Sequence, residues 1–222
     1  MNILLTSAGR RSYIIHYFRE ALAGTGLVHA ANSVYSAALQ VADRAVVTPL
    51  IYDSSYIDFL LDYCTRNEIR AIISLFDIDL PILSQAKEQF LQHGVQVVVS
   101  DYYVTQVCND KWRTFNWLKN NEISTPKTFL KIDDVEKGLN DKRLSFPIII
   151  KPRWGMGSIA IYEADNEQEL LVFDKKSKKQ IFNSYLSFES GADRDHGVIF
   201  QEKLVGEEYG LDVVNDLRQN HV

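Results

Sequence analysis

Cysteine is scarce in this sequence: the only two, Cys64 and Cys108, stand far apart in segments that read as helical, and neither belongs to a CxxC pair. We read them as reduced thiols in a cytosolic protein. The histidines His16, His29, His93, His196 and His221 are scattered without ligand spacing, so a histidine metal site is not expected. No apolar run is long enough to span a bilayer. The opening MNILLTSAGRR is too short for a signal peptide, and its charges follow the apolar run instead of preceding it. There is no basic tail, and a net charge of -5 gives no general attraction to nucleic acid or to an anionic membrane. The expectation is a soluble, cytoplasmic protein with neither nucleic acid nor membrane as partner.

What is present is enough material for a sizeable core: 222 residues, 46% of them apolar, suggest one large or two small domains. The run NILLTS at 2 to 7 ends at Ala8-Gly9 and is followed by a helical pattern through Tyr13, Ile14, Tyr17, Phe18, Ala21 and Leu22. Short apolar runs recur at 27 to 31, 45 to 48, 71 to 75 and 95 to 99, with helical segments near 53 to 67 and 80 to 92. Repeated strand then helix predicts an α/β domain built on a mostly parallel, Rossmann-like sheet. Near 108 the rhythm changes. A helix carrying Trp112, Phe115, Trp117 and Leu118 leads to the breaker STP, a strand TFLK, a helix from Asp133, then the strand IIIK, a loop, the strand IAIYEA returning antiparallel, and a further helix. That order is α+β, so two domains are expected, 1 to 105 and 106 to 222. The polar, charged stretch 174 to 197 reads as a mobile excursion, and two strand-like runs follow it in VIFQEKLVGEEYGLDVV.

The stretch IIIKPRWGMGS at 148 to 158 is neither a P-loop nor a dinucleotide fingerprint, because its lysine precedes its glycines and a strand follows them. It still suits phosphate. Glycines let backbone N–H groups fold over anionic oxygens, and the strand-borne Lys151 supplies a positioned point charge. A plain glycine-rich turn beside a lysine would look the same. Its company at a distance narrows the choice: upstream lies NDKWRT, with Lys111 opening a helix, and downstream IFQEKLVGEEYGLDVV, an apolar strand, a polar hinge and an acidic strand.

In this order and spacing the motifs resemble the ATP-grasp family, in particular its carbamoyl-phosphate-synthase-like branch, over essentially the whole chain. The resemblance implies a pre-ATP-grasp domain followed by a partial ATP-grasp domain, with ATP and Mg²⁺ as cofactors and a small carboxylate as substrate. It implies that Lys111 and Lys151 contact the ATP phosphates and that the loop with Arg153, Gly155, Gly157 and Ser158 closes over them. Glu202, Lys203 and Leu204 would form the adenine hinge, and Glu208 would take the ribose hydroxyls. In a strand at 207 to 214, Glu208, Gly210 and Asp212 would share one polar face; equally, that strand could be a half-exposed one with solvated acids.

Two further stretches are candidates for substrate binding. TSAGRRS follows the first strand and opens a helix, so free N–H groups with Gly9, Arg10 and Arg11 make an anion site physically plausible, for a substrate carboxylate or acyl phosphate; two surface arginines on a first helical turn is the plainer alternative. With a single glycine, the turn lacks the Rossmann fingerprint of an NAD-binding protein. In SLFDIDLP, Asp77 and Asp79 follow a strand at the carboxyl edge of the sheet. Asp79 is assigned to capping the next helix and Asp77 to a ligand amino group.

ATP-grasp members hold their metals beyond the adenine hinge, so the resemblance places the metal ligands past residue 222, with none within this chain. DLRQN at 216 to 220 reads as a hairpin turn. The expectation is therefore the N-terminal portion of an ATP-dependent carboxylate–amine (or carboxylate–thiol) ligase working through an acyl phosphate, nearly inactive alone. The alternative is a non-catalytic nucleotide- or ligand-binding protein on a shortened fold. An apolar strand at 207 to 214 without its hairpin partner would also favour self-association through the C-terminal half.

Overall fold

The computed structural model describes residues 1–213 and 216. The chain divides into two compact units, Met1–Thr105 and Gln106–Val222.

In the first unit strands and helices alternate: β1 (Asn2–Thr6), α1 (Ser12–Leu22), β2 (Val28–Asn32), α2 (Ala37–Val41), β3 (Arg44–Val47), α3 (Tyr56–Arg66), β4 (Ile69–Ser74), α4 (Asp79–Gln85), α5 (Lys87–Gln92) and β5 (Gln96–Val97). The five strands pair in the order β3-β2-β1-β4-β5, and every pairing is parallel. Side chains alternate across a strand, so the central β1 must feed two cores. Leu4 packs with Tyr56, Leu60 and Ile72 on one face, while Ile3 and Leu5 pack with Ile15 and Ala30 on the other. That double burial explains why NILLT is an unbroken apolar run instead of an alternating one.

One polar residue sits within this sheet at a cost. His29 in β2 is almost fully buried. Its Nδ1 lies 2.9 Å from the Tyr63 hydroxyl, and its Nε2 has no hydrogen-bond partner among the described residues. Burial, followed by the nearby Arg44 charge, lowers its pKa below the usual 6.5, with Asp43 opposing. The folded protein thus holds His29 neutral while the unfolded chain protonates near pH 6.5. Its contribution to stability is full above that pH and is lost as pH falls toward the depressed folded value. Urea unfolding between pH 7.5 and pH 5.5 should show this loss, and His29→Phe should flatten it; an unchanged slope in the variant would assign the acid sensitivity elsewhere.

α6 (Tyr102–Asn109) spans the division between the units. The second unit continues with α7 (Lys111–Asn120), β6 (Thr128–Phe129), α8 (Ile132–Asn140), β7 (Ile148–Pro152), β8 (Tyr162–Ala164), α9 (Glu167–Phe182), α10 (Ser187–Ser190), a 3₁₀ segment (Gly191–His196) and β9 (Val198–Glu202). Its sheet has the order β6-β9-β7-β8 and is antiparallel throughout. Ile148 and Ile150 of β7 and Phe200 of β9 point into a core with Val135 of α8 and Leu170 and Ile181 of α9. The intervening residues Ile149, Lys151 and Gln201 are only half-buried, on the opposite face of the sheet.

Three expectations are corrected here. First, the segment 174 to 197, read as a mobile excursion, is largely helical. Asn166 caps α9 by accepting from the Glu169 N–H, and Glu169 in turn accepts from the Asp165 N–H, a reciprocal cap. Leu170 and Ile181 then anchor the helix, and the buried Ser177 hydroxyl donates to the Ala160 carbonyl at 2.9 Å. Second, residues 207 to 213 form no strand. Both sides of β9 are already taken by β6 and β7, and Leu204, Val205, Tyr209, Leu211 and Val213 are exposed. With no strand beside it among the described residues, an alternating pattern has no ladder to join. The last residue of that expected strand, Val214, and the expected hairpin turn apart from Asp216 lie outside the described residues. Third, Asp79 does not cap α4: its carboxylate turns inward, as described below. Among the described residues, no helix is long and apolar enough to cross a membrane.

Candidate nucleotide and substrate sites

The second unit concentrates its charged chemistry around β7 and the loop that follows. Lys151 is half-buried on the face of the sheet turned away from the helices. Its Nζ donates to Gln201 Oε1 at 2.7 Å, and burial lowers its pKa from the ordinary lysine value. The adjoining loop runs through left-handed backbone: Gly155 at φ 138°, Gly157 at 68°, Ser158 at 58° and Ala160 at 57°. At Gly155 a Cβ would lie 2.9 Å from a methyl of the buried Leu186, so both conformation and space require glycine there. Nothing lies within 4 Å of a Cβ built at Gly157, and Gly157 and Ser158 are exposed.

Lys111 meets this loop twice. Its backbone N–H donates to the Arg153 carbonyl at 3.1 Å, and its Nζ donates to the Gly155 carbonyl at 2.8 Å. The structure therefore brings Lys111, Lys151 and the glycine loop together, although 40 residues separate the two lysines in sequence.

Arg153, expected in the phosphate loop, is engaged in ion pairs. Its guanidinium forms a two-bond pair with Asp110, at 2.8 and 2.7 Å, and a third bond to Asp193 at 3.0 Å. The ring of Trp154 lies 4.2 Å from the guanidinium carbon. Committed to two carboxylates and only 11% exposed, this side chain ties down the base of the loop instead of reaching over it. Asp110, buried, also caps α7 by accepting from the Trp112 and Arg113 N–H groups. One carboxylate thus positions both the helix that starts with Lys111 and the strand end that follows Lys151.

At the end of β9, Glu202 accepts from the Lys127 N–H at 2.9 Å and pairs with its Nζ at 3.2 Å. Lys203 reaches Glu163 of β8 at 2.7 Å, and Leu204 is exposed. Glu208, expected on a strand, is exposed on irregular chain.

In the first unit the strand order reverses at β1, and a cleft of about 290 Å³ opens at the carboxyl ends of the strands. Open parallel sheets bind ligands at such a reversal. Ser7, Gly9, Arg10 and Arg11 of the β1–α1 turn line it, together with Asn32 at the end of β2, Ser33 just after it and Phe76 after β4. Gly9 takes φ 54°, and α1 begins without a side-chain cap. Asp77 is exposed and does not line this cleft, so the structure does not join it to the two arginines. The neighbouring Asp79 is fully buried beneath. It accepts from Thr6 and Ser7 of the turn, from Ser74 at the end of β4 and from the Tyr56 hydroxyl, at 2.6, 3.2, 2.8 and 2.9 Å. Burial raises its pKa while the four hydroxyl donors oppose that rise. Among the described residues, no group of three or more His, Cys, Asp or Glu side chains could hold a metal.

In chain order, a parallel-sheet unit is followed by an antiparallel sheet that carries a strand-borne lysine and a glycine loop. Residues 108–222 match the ATP-grasp domain, and the chain belongs to the ATP-grasp family. Residues 3–98 match the PylC-like N-terminal domain. Among curated proteins, coenzyme gamma-F420-2:alpha-L-glutamate ligase of Methanococcus maripaludis is 29% identical over 87 residues, which cover 37% of this chain and 30% of that protein. Among solved structures, the biotin carboxylase domain of Hydrogenobacter thermophilus 2-oxoglutarate carboxylase superposes with a TM-score of 0.64 at 17% identity, covering 92% of this chain and 44% of that one. The L-amino acid ligase of Bacillus licheniformis gives 0.63 at 19%, covering 91% and 44%. The N5-carboxyaminoimidazole ribonucleotide synthetase of Thermotoga maritima gives 0.57 at 19%, covering 91% and 45%. At these identities the likeness is one of fold, and the chain spans less than half the length of each of these solved structures.

Proposed function

We propose that the second unit binds ATP and that the whole protein is an ATP-dependent carboxylate–amine or carboxylate–thiol ligase working through an acyl phosphate. The observation that carries this reading is the convergence of Lys151, Lys111 and the left-handed glycine loop at one end of β7. Two ammonium groups and the backbone N–H groups of a glycine loop are suited to a polyphosphate, which needs neutralisation and positioning more than covalent chemistry. When phosphate arrives, Lys111 exchanges the Gly155 carbonyl for an anionic oxygen, and that release frees the loop to fold over the nucleotide. Gly155, Gly157 and Ser158 then present N–H groups, while Arg153 holds the loop's base. Backbone groups of Glu202, Lys203 and Leu204 read the adenine edge, and Glu208 takes the ribose hydroxyls. ATP supplies the γ-phosphoryl that activates a carboxylate. In the first unit, Arg10, Arg11 and the N–H groups around Gly9 receive that small carboxylate, and Asp77 remains at the surface beside the cleft. Two of the solved structures support the ligand classes: one is described with MgADP and bicarbonate, and another, from Staphylococcus aureus, with ADP.

The test is calorimetric titration with ATP. Lys151→Ala should weaken binding about 10- to 150-fold, since a charge-assisted contact contributes about 1.5–3 kcal/mol. Equal affinities for the wild type and the variant would remove Lys151 from the site.

A further inference from the structure

We infer that Gln201 is a positioning residue that aims Lys151, through a one-way hydrogen-bond chain anchored on Thr128. The inference rests on the nucleotide reading above and names a residue that reading does not use. The chain has three links: Lys151 Nζ donates to Gln201 Oε1 at 2.7 Å, Gln201 Nε2 donates to Thr128 Oγ1 at 2.8 Å, and Thr128 Oγ1 donates to the Pro126 carbonyl at 2.9 Å.

Strand register puts these groups in a row. Gln201 pairs with Ile149 on one side and with Thr128 on the other, while Lys151 pairs with Ile199. Lys151 and Gln201 are therefore diagonal neighbours on one face of the sheet, within reach for long side chains. The opposite face is occupied by the apolar core, and both side chains lie on this one.

Direction matters as much as proximity. The last acceptor is a proline carbonyl, which cannot donate, so the Thr128 hydroxyl must donate to it and is left to accept from Gln201. An amide that donates from Nε2 toward Thr128 presents Oε1 toward Lys151. Turning the amide over would place an NH₂ group against an ammonium and a carbonyl against the threonine oxygen, breaking two bonds together. Bonds aligned head to tail in a partly buried setting also polarise one another. The result is an acceptor of fixed position that holds a flexible four-carbon side chain in a single aim before any phosphate arrives. Thr128, buried, is two hydrogen bonds away from the lysine, which makes it a remote handle on that aim.

The test uses two readouts, one of which needs no nucleotide. The first is the labelling rate of Lys151 by an amine-selective acylating reagent at pH 8, followed by mass spectrometry. The second is ATP affinity. Gln201→Leu should label Lys151 several-fold faster, because the ammonium loses its acceptor and the neutral amine is favoured, and it should bind ATP about tenfold more weakly. Thr128→Val should move both readouts in the same direction, and Thr128→Ser, which keeps the hydroxyl, should restore them. If Lys151→Ala loses ATP binding while Gln201→Leu and Thr128→Val match the wild type in both readouts, the positioning role is overturned and the nucleotide reading stands. If the wild type binds no ATP, the nucleotide reading falls and the labelling rates alone decide whether the chain aims Lys151.

Discussion

Replacing Asp110 with alanine should destabilise the second unit by about 3–5 kcal/mol, the usual result of stranding one partner of a buried ion pair. Arg153 would keep its positive charge, 11% exposed, with only Asp193 left beside it. The cap on α7 would go as well, at about 1 kcal/mol. A domain whose total stability is about 5–15 kcal/mol has little margin for such a loss. Because the chain has two compact units, the measurement should be made by unit: hydrogen exchange should accelerate across α7, β7 and β9 and remain unchanged in β1 and β4. Asp110→Asn keeps a capping oxygen and removes only the charge, so it should fall between the wild type and alanine. Protection of α7 within about 1 kcal/mol of the wild type in the alanine variant would mean that the Arg153 cluster is not a structural tie.

In the first unit the corresponding residue is Asp79. Asp79→Ala should cost about 1–3 kcal/mol for each of the buried Thr6 and Tyr56 hydroxyls that it deprives of an acceptor, at the junction of three elements. Thr6 and Ser7 end β1, Ser74 ends β4 and Tyr56 opens α3, so a single carboxylate holds the floor of the cleft that Arg10 and Arg11 line. Asp79→Asn is isosteric but exchanges one acceptor oxygen for a donor, and should lose roughly half as much. Urea unfolding followed by Tyr56-sensitive near-UV circular dichroism would measure both. If alanine is tolerated at this position, the hydroxyls find other partners and the carboxylate is not the organising group.

How much of this could be read beforehand varied with the kind of signal. The parallel sheet was legible because each of its strands is a short apolar run, buried on both faces where it is central. The antiparallel strands β6, β7 and β8 were legible from breakers and β-branched runs, although IAIYEA contributes only its last three residues as strand, Ser158 and Ala160 having turned to positive φ before it. A helix after IAIYEA was expected, but its continuation through 174 to 182 was missed because the polar face dominates the composition there. Its signal was local: Asn166 followed three residues later by Glu169, then Leu170 and Ile181 on the same face. Lys151 and the loop were singled out by residue type and order, and Lys111 by the family resemblance; the structure sets Lys111 against that loop. Gln201 and Asp110 were not, because their roles depend on register between strands 50 residues apart and on a salt bridge 43 residues long, which no linear pattern encodes. Asp79 was assigned to the wrong duty for a related reason. An aspartate just before a helix looks like a cap, and only burial of the surrounding hydroxyls reveals that it faces inward.

The placement of β9 has a bearing on synthesis. Thr128–Phe129 and Ile148–Pro152 never touch as strands; each is bonded to Val198–Glu202, which the ribosome makes last of the three. Until those five residues emerge, β7 can pair only with β8, Gln201 does not yet exist, and the row of polar groups leading to Lys151 cannot form. The first unit has no such wait, since its five strands are complete by residue 97. A nascent chain should therefore hold a finished parallel-sheet unit while its antiparallel sheet is still an open hairpin with unpaired edges, which is the interval in which such a chain is most exposed to wrong pairing.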